Sequence, residues 1–216
     1  MSLTERQLNR TTLARQLLLM REPLGVAEAV RRVIALQAQE PVSPYVALWN
    51  RVRSFDPADL DRAFADQALI KATLMRITLH AVAADDYSPF QRAMLRTLRA
   101  ARLNDRRFKQ TGLTIAQADE LVAPLLGFLS QPRSRSEIEE VLAKWLGETP
   151  DRHVFWALRT YALMRHAPTG GPWSFTVSSP AYQAAPLDPS WSDQQKALQQ
   201  LILRYLEGFG PASAAD

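Results

Sequence analysis

The chain has 216 residues, of which 47% are hydrophobic and 22% charged, so it can form one large globular domain or two small ones. It contains no cysteine, which excludes disulfides, thiolate metal sites and thiol nucleophiles and is compatible with the cytoplasm. The net charge of +4 favours polyanionic partners only mildly.

The composition also argues against a metal enzyme and against a membrane protein. The three histidines, His80, His153 and His166, are too scattered to predict a metal site, and no cofactor is expected. No apolar run reaches the roughly 18 residues that a membrane span needs. The N-terminus has no apolar signal core and begins instead as a capped helix.

The first half of the chain predicts four helices with recognisable start signals. Thr4 and Gln7 form a capping box at the first helix. Pro44 and Pro57 suit the first helical position, where no backbone N–H is needed. The predicted helices run from Thr4 to Pro23-Leu24-Gly25, from Val26 to Gln39, from Ser43 to Val52, and from Asp56 through Phe64.

A β-hairpin follows these helices. Leu69 to Met75 and Ile77 to Val82 are rich in β-branched residues and predict two strands joined near Met75-Arg76. Helices followed by a hairpin are typical of a winged helix-turn-helix unit. A long helix is then predicted from Asp85-Asp86 to about Asn104.

The second half repeats this order after a connector over residues 104–114. A loop at Pro168 to Pro172 precedes a segment, Trp173 to Val177, whose alternation predicts a strand. The repeat is therefore one of architecture rather than of sequence period. The predicted helices are Ala116 to Leu129, bent near Pro124, then Ser134 to Trp145, and Val154 to Met164.

The C-terminal segment predicts the beginning of a third unit. A proline-rich linker, 185–189, leads to a helix from Ser192 through Leu206, and Gly208 to Ser213 resembles the start of another helix. We therefore expect an α+β fold, mainly α with small β-hairpin wings, built from tandem winged helix-turn-helix units. The expected boundaries are 1–104 for the first unit with its long helix, 105–186 for the second, and 187–216 for a linker and truncated third unit.

Two amides one residue apart, Gln37 and Gln39, end the second predicted helix. Within a helix they would point about 200° apart, but unwinding before Pro41 would let the second turn toward the first. Each amide has one acceptor oxygen and two donor hydrogens, so the pair could hold a water or bind a polar base edge. Alternatively, they are solvated or capping amides at a helix end.

A basic stretch follows the first hairpin. Arg92, Arg96 and Arg99 recur at helical spacing, and no acidic residue stands four positions beyond them to form intrahelical salt bridges. We expect this helix face to bind DNA phosphates, which would make binding strongly salt-dependent without conferring sequence specificity. The alternative is a solvated helix face.

Several short motifs, which together span nearly the whole chain, occur in a recognisable order. They are Leu3-Thr4, Leu13 to Gln16, Leu36 to Pro41, Ser43 to Tyr45, Leu48-Trp49, Leu74 to His80, His166 to Pro168 with Gly170 and Trp173, and Leu206 with Phe209 to Ala212. Together these segments resemble the AlkZ-type winged-helix DNA glycosylases. The resemblance implies three winged-helix units around a basic channel and excision of N-alkylated purines, including bulky or cross-linked N7-alkylguanine. It assigns catalysis to a Gln-x-Gln or Gln-x-Asp motif, and Gln37 and Gln39 match the first form.

The chemistry of such a lesion fits an amide pair. Glycosidic cleavage passes through an oxocarbenium-like sugar, which most enzymes stabilise with a carboxylate. A glutamine accepts no proton at neutral pH, so the pair can only orient water and stabilise charge through its oxygens. An N7-alkylated guanine is already cationic and needs little help to leave.

We therefore expect a monofunctional, metal-free DNA glycosylase in which Gln37 and Gln39 are catalytic. Arg76, Thr78 and His80 of the first predicted wing, together with the arginine face, are expected to contact DNA. The expected partner is duplex DNA carrying alkylated bases, bound by a cytoplasmic, nucleoid-associated monomer that does not bind membranes. Alternatively, the chain is a non-catalytic winged-helix DNA-binding protein such as a transcriptional regulator, or a folded but inactive fragment.

Overall fold

A computed structural model describes residues 4–170 and 173–212 of the chain. Residues 171–172 of the predicted loop, Leu3 of the matching motifs, and residues 213–216 at the predicted start of the third unit lie outside the described residues. The described part has an α+β fold, as expected, with eleven α-helices and one six-stranded antiparallel sheet.

The first half places four helices before and around one β-hairpin. The capping box of Thr4 and Gln7 is confirmed, with Gln7 Oε1 accepting from the Thr4 backbone N–H at 2.9 Å. Asp56 caps the fourth helix by accepting from the Ala58 N–H at 2.9 Å. The elements are α1 (Glu5–Arg15), α2 (Val26–Arg32), β1 (Leu36–Gln37), α3 (Ser43–Trp49), α4 (Pro57–Ala65), β2 (Leu69–Thr73) and β3 (Leu79–Ala83).

Two predicted helix ends in this half were wrong. The first helix ends at Arg15 because Leu17 adopts a left-handed φ of 55°, well before Pro23. The second ends at Arg32, since Ile34 has a φ of 76° and redirects the chain into β1. Gln37 therefore lies in a strand, where pairing with β3 satisfies backbone groups that a longer helix would otherwise have satisfied.

The second half begins with the long helix that the sequence predicts. The connector 104–114 contains a short helix, and the helix predicted over 116–129 is interrupted at Leu121 rather than bent at Pro124. The elements are α5 (Ala84–Leu103), α6 (Arg106–Lys109), α7 (Ile115–Glu120), α8 (Val122–Phe128), β4 (Arg133–Ser134), α9 (Arg135–Leu146), α10 (Arg152–Tyr161), β5 (Met164–Ala167), β6 (Ala181–Ala184) and α11 (Gln194–Phe209).

The strand predicted over Trp173 to Val177 was also wrong. Trp173 and Ser174 have left-handed φ values of 67° and 56°, so this stretch is a loop. The alternation of apolar and polar residues here does not reflect a strand. Phe175 is an apolar position because its ring packs edge-on against Phe64 of α4, with the ring centroids 4.8 Å apart. The second hairpin is formed instead by β5 and β6, on either side of that loop.

One sheet joins the two halves of the molecule. Its strand order is β1-β3-β2-β5-β6-β4, with every pairing antiparallel. The two hairpins meet where β2 lies beside β5, and Lys71 is paired there with His166. This junction brings residues far apart in sequence to one place.

The hydrophobic cores follow the same division, and α5 connects them. Tyr87 and Phe90 at its start pack with the first hairpin, whereas Leu98 and Leu103 at its end belong to the core of the second half. Within the described ranges, no helix is both long and apolar enough to cross a bilayer.

Candidate functional site

The two predicted catalytic amides lie at and just beyond the end of a strand rather than at the end of a helix. Gln37 is the last residue of β1, and Gln39 lies in the bend that follows. Both are exposed, while Ala38 between them is buried. The Ala38 N–H donates to the Leu79 carbonyl at 2.8 Å, which continues the contact between β1 and β3 past Gln37. The correction from helix to strand therefore places both amides beside β3.

Each amide has a different neighbour on β3. Gln37 is paired across the strands with His80, whose Nδ1 lies 3.0 Å from the Thr78 carbonyl and donates to it in the tautomer that this contact favours. Burial lowers the pKa of His80, and this hydrogen bond to Thr78 opposes the shift. Gln39 Oε1 accepts from the Leu79 N–H at 3.4 Å. A neutral imidazole thus lies beside one amide, and a backbone N–H holds the other.

A cavity of about 150 Å³ opens beside Gln39 at the junction of the two hairpins. It draws its lining from both halves of the molecule and from the loop between β5 and β6, but Gln37 is not part of it. The lining residues are Gln39, Pro41, Lys71, Leu79, Arg159, His166, Ala167, Thr169, Phe175, Thr176, Val177, Pro180, Ala181 and Tyr182.

Lys71 is the buried charge of this cavity. Its side chain is only 4% exposed, and its ammonium lies 4.4 Å from the centre of the Phe175 ring. Burial lowers the pKa of Lys71 to about 8, while the charge of Glu40 opposes that shift. The sequence analysis missed Lys71, although a lone lysine in the apolar strand Leu69–Thr73 was a usable signal.

Two further basic side chains approach Lys71 from the second half. His166 is the partner of Lys71 in the β2–β5 pairing, and burial with the charges of Lys71 and Arg159 lowers the pKa of His166 to about 3. Arg159 on α10 donates to the Tyr182 hydroxyl at 3.3 Å. The cavity therefore carries positive potential around a neutral imidazole.

The loop that covers the cavity is fixed to the first half by polar contacts as well as by Phe175. The Tyr45 hydroxyl donates to Asp61 Oδ1 at 2.5 Å and lies 2.9 Å from Ser174 Oγ. Ser174 Oγ also donates to Asp61. Burial, followed by the hydrogen bond to Asp61, raises the pKa of Tyr45 above its ordinary value. These contacts fix the loop to α3 and α4.

The predicted DNA contacts of the first wing lie along one hairpin. Arg76 is exposed at its tip with a left-handed φ of 52°. Thr78 is half-buried and donates through Oγ1 to the Met75 carbonyl at 3.1 Å. His80 is 7% exposed and lies beside Gln37. Roles for these three in DNA binding remain predictions.

The predicted arginine face is less uniform than its spacing suggests. Arg96 is exposed, but Arg99 donates through Nε to Asp119 of α7 at 2.9 Å, a partner that intrahelical spacing could not reveal. Arg92 is half-buried beside Leu187 and Trp191 of the linker, away from Gln39. A DNA contact by these arginines likewise remains a prediction.

A second basic cluster surrounds Trp156 on α10, and the sequence analysis did not find it. The guanidinium carbons of Arg102 and Arg107 lie 4.0 and 4.4 Å from the Trp156 ring centre. The adjoining cavity also contains Arg135, Arg152, His153 and Arg159, so Arg159 borders both cavities. Over the described ranges, no group of three histidines, aspartates or glutamates is arranged to hold a metal ion.

Comparisons with known proteins assign the chain to a family. A family model described as DNA glycosylase AlkZ-like matches residues 30–216. The chain belongs to the AlkZ-like DNA glycosylase family. The family resemblance that the motifs predict is therefore confirmed, whereas membership of its Gln-x-Gln branch remains a prediction.

Among solved structures, the chain is similar to the Streptomyces sahachiroi DNA glycosylase AlkZ, with a TM-score of 0.78 and 22% sequence identity. At that identity the likeness concerns the fold. The match covers 99% of this chain and 59% of that chain, so the present chain spans less than two thirds of the relative's length. No curated protein matches the chain.

Proposed function

We propose that the chain is a DNA glycosylase that hydrolyses the N-glycosidic bond of N-alkylated purines, with N7-alkylguanine as the principal class. The observation that supports this proposal is that both exposed amides lie beside β3, Gln37 as the cross-strand partner of His80 and Gln39 through its contact with the Leu79 N–H. Family membership supports the reaction class. Bulky adducts and interstrand cross-links are the lesions that such an exposed site would admit.

The proposed reaction uses water as its nucleophile and is monofunctional. The amide oxygens of Gln37 and Gln39 would orient one water and stabilise the positive charge that develops on the sugar. The amides cannot take up the proton released by that water. This proton would pass to His80, the cross-strand partner of Gln37, through the ring nitrogen that does not contact the Thr78 carbonyl.

The proposed partner is double-stranded DNA containing alkylated bases, bound by a monomer on the cytoplasmic nucleoid. The two halves, each a set of helices followed by a hairpin, would act as tandem winged-helix units. Arg76, Arg96 and the arginines around Trp156 would bind the phosphate backbone.

Release of N7-methylguanine from duplex DNA tests the proposal. We expect the chain to release the base and a Gln37→Ala/Gln39→Ala variant to be slower by about 10²–10³-fold, the usual effect of removing groups that stabilise developing charge. Gln194→Ala/Gln195→Ala at the exposed start of α11 is the matched control and should leave the rate unchanged.

Two results would contradict this function. Full activity in the Gln37/Gln39 variant would exclude the amides as the water site. No release by the unaltered chain, together with tight and sequence-specific duplex binding, would favour a non-catalytic DNA-binding protein.

A further inference from the structure

The cavity beside Gln39 is lined by two cationic side chains and one neutral imidazole. Lys71, Arg159 and His166 line it from β2, α10 and β5, and none of its described lining residues is acidic. The ion pairs found among residues 4–170 and 173–212 include neither Lys71 nor Arg159. The positive charge of Lys71 and Arg159 is therefore not neutralised by an ion pair of the described residues, and Glu40 acts on Lys71 only from a distance.

Such an arrangement is costly in the protein alone. Lys71 is only 4% exposed, so its ammonium loses most of its hydration, and the charge of the exposed Glu40, which forms no ion pair with it, offsets only part of that loss. The contact with the Phe175 ring at 4.4 Å compensates for only part of that loss. A ligand carrying negative charge would supply the remainder.

The polar groups around Lys71 suit an oxyanion. Thr169, Thr176 and Tyr182 line the same cavity and carry hydroxyl groups, and Gln39 contributes an amide. Hydroxyl, amide, guanidinium and ammonium groups are the side chains that commonly contact phosphate oxygens of DNA. A cationic alkylated base would instead meet two like charges in a low-dielectric space.

We propose that this cavity binds one phosphodiester group of the DNA strand that carries the lesion, held by Lys71 and Arg159, and that it does not receive the alkylated base. The inference rests on the proposed function for the identity of the DNA. The bound phosphate lies beside Gln39, so it fixes the register of the strand relative to the amide pair. The base itself stays on the open side of β1, where Gln37 and Gln39 are exposed.

The first test measures binding to undamaged duplex DNA by fluorescence anisotropy over a range of KCl concentrations. We expect Lys71→Met to bind about tenfold more weakly and to reduce the slope of log Kd against log salt by about 0.9, the change for one lost phosphate contact. Lys71→Arg, which keeps the charge, should retain most of the affinity. Lys144→Met, at an exposed position of α9 outside the cavity, is the control for removing one positive charge.

Thermal unfolding of the same variants separates binding from structure. Lys71→Met should melt at the same temperature as the unaltered chain or higher, because it removes a buried unpaired charge. A lower melting temperature with unchanged affinity and salt slope would show a structural lysine and overturn the proposal.

A second measurement does not depend on the folding of Lys71→Met. The unaltered chain and Lys71→Arg are titrated with duplexes in which a neutral methylphosphonate replaces one phosphate at a time near the lesion position. One position should weaken binding by the unaltered chain about tenfold, and Lys71→Arg should change the size of that effect. An equal response at every position would contradict a specific phosphate site. Because only binding is measured, a chain that binds in this way but releases no base would refute the proposed function alone.

Discussion

At the scale of single residues, the environment of His166 has a consequence for stability against acid. The folded-state pKa of His166 is about 3, compared with 6.5 for an ordinary histidine. Between these two values the unfolded chain binds a proton that the folded chain does not. The free energy of unfolding should therefore fall as the pH drops below 6.5, by up to about 1.4 kcal/mol per pH unit for this group.

Urea unfolding at several pH values between 7 and 4 measures this effect. His166→Gln, which carries no titratable group, should show a shallower decline than the unaltered chain. Some slope should remain in the variant, because burial also lowers the pKa of His80. Identical slopes in the two proteins would mean that His166 titrates normally in the folded state.

At the scale of secondary-structure elements, α11 is fastened by a buried ion pair. Arg204 of α11 donates to Asp86 of α5 through Nε at 3.1 Å and through Nη2 at 2.9 Å. The two side chains are 9% and 6% exposed, and Arg204 also donates to the Arg31 carbonyl at the end of α2. One guanidinium thus ties three helices together.

Asp86→Ala should lower the free energy of unfolding by at most about 3–5 kcal/mol, because it leaves the buried Arg204 guanidinium with only the exposed carboxylate of Glu207 as its partner. Asp59→Ala removes the partner of Arg62 on the surface of α4 and should cost no more than about 1 kcal/mol. Urea unfolding monitored by circular dichroism measures both. Equal costs would argue that burial contributes nothing to the first pair.

The secondary-structure elements also show which features could be predicted from the sequence. Capping boxes at Thr4 and Ser134 and the hairpin around Arg76 were predictable, because each depends on neighbouring residues. Strand β1 was not, since two residues carry no periodicity and the strand exists only through its pairing with β3. The same holds for the loop around Phe175, whose alternation reflects a contact with α4 rather than a sheet.

The residues of the candidate site were likewise only partly predictable from the sequence. Gln37 and Gln39 could be chosen from their chemistry and from a family motif, but their position beside β3 depends on the strand pairing. Lys71, Arg159 and His166 meet only because β2 lies beside β5, a pairing between residues 95 positions apart. No local pattern reports such a contact.

At the scale of the whole molecule, packing does not stop at the predicted boundary after residue 104. The end of α5 contributes Leu98 and Leu103 to the second core, and Phe175 from the second half completes the first. Each half therefore supplies apolar side chains that the other needs. The cavity beside Gln39 exists only where both halves are in place.

The shared sheet makes the chain a candidate for fragment complementation. A cut at the exposed Gly112, where φ is 81°, would leave one fragment with an open β2 edge and the other with an open β5 edge. The exposed strand edges should make each fragment aggregate or stay unfolded alone, and the first fragment also exposes Leu98, Leu103 and Phe108, which the second fragment covers in the intact chain. Mixed at equal concentration, the two should assemble into a folded heterodimer, detectable by size-exclusion chromatography and circular dichroism, and cooperative unfolding of either fragment alone would contradict this. The DNA binding proposed above would then depend on assembly of the two halves, so the junction could serve as an engineered switch for it.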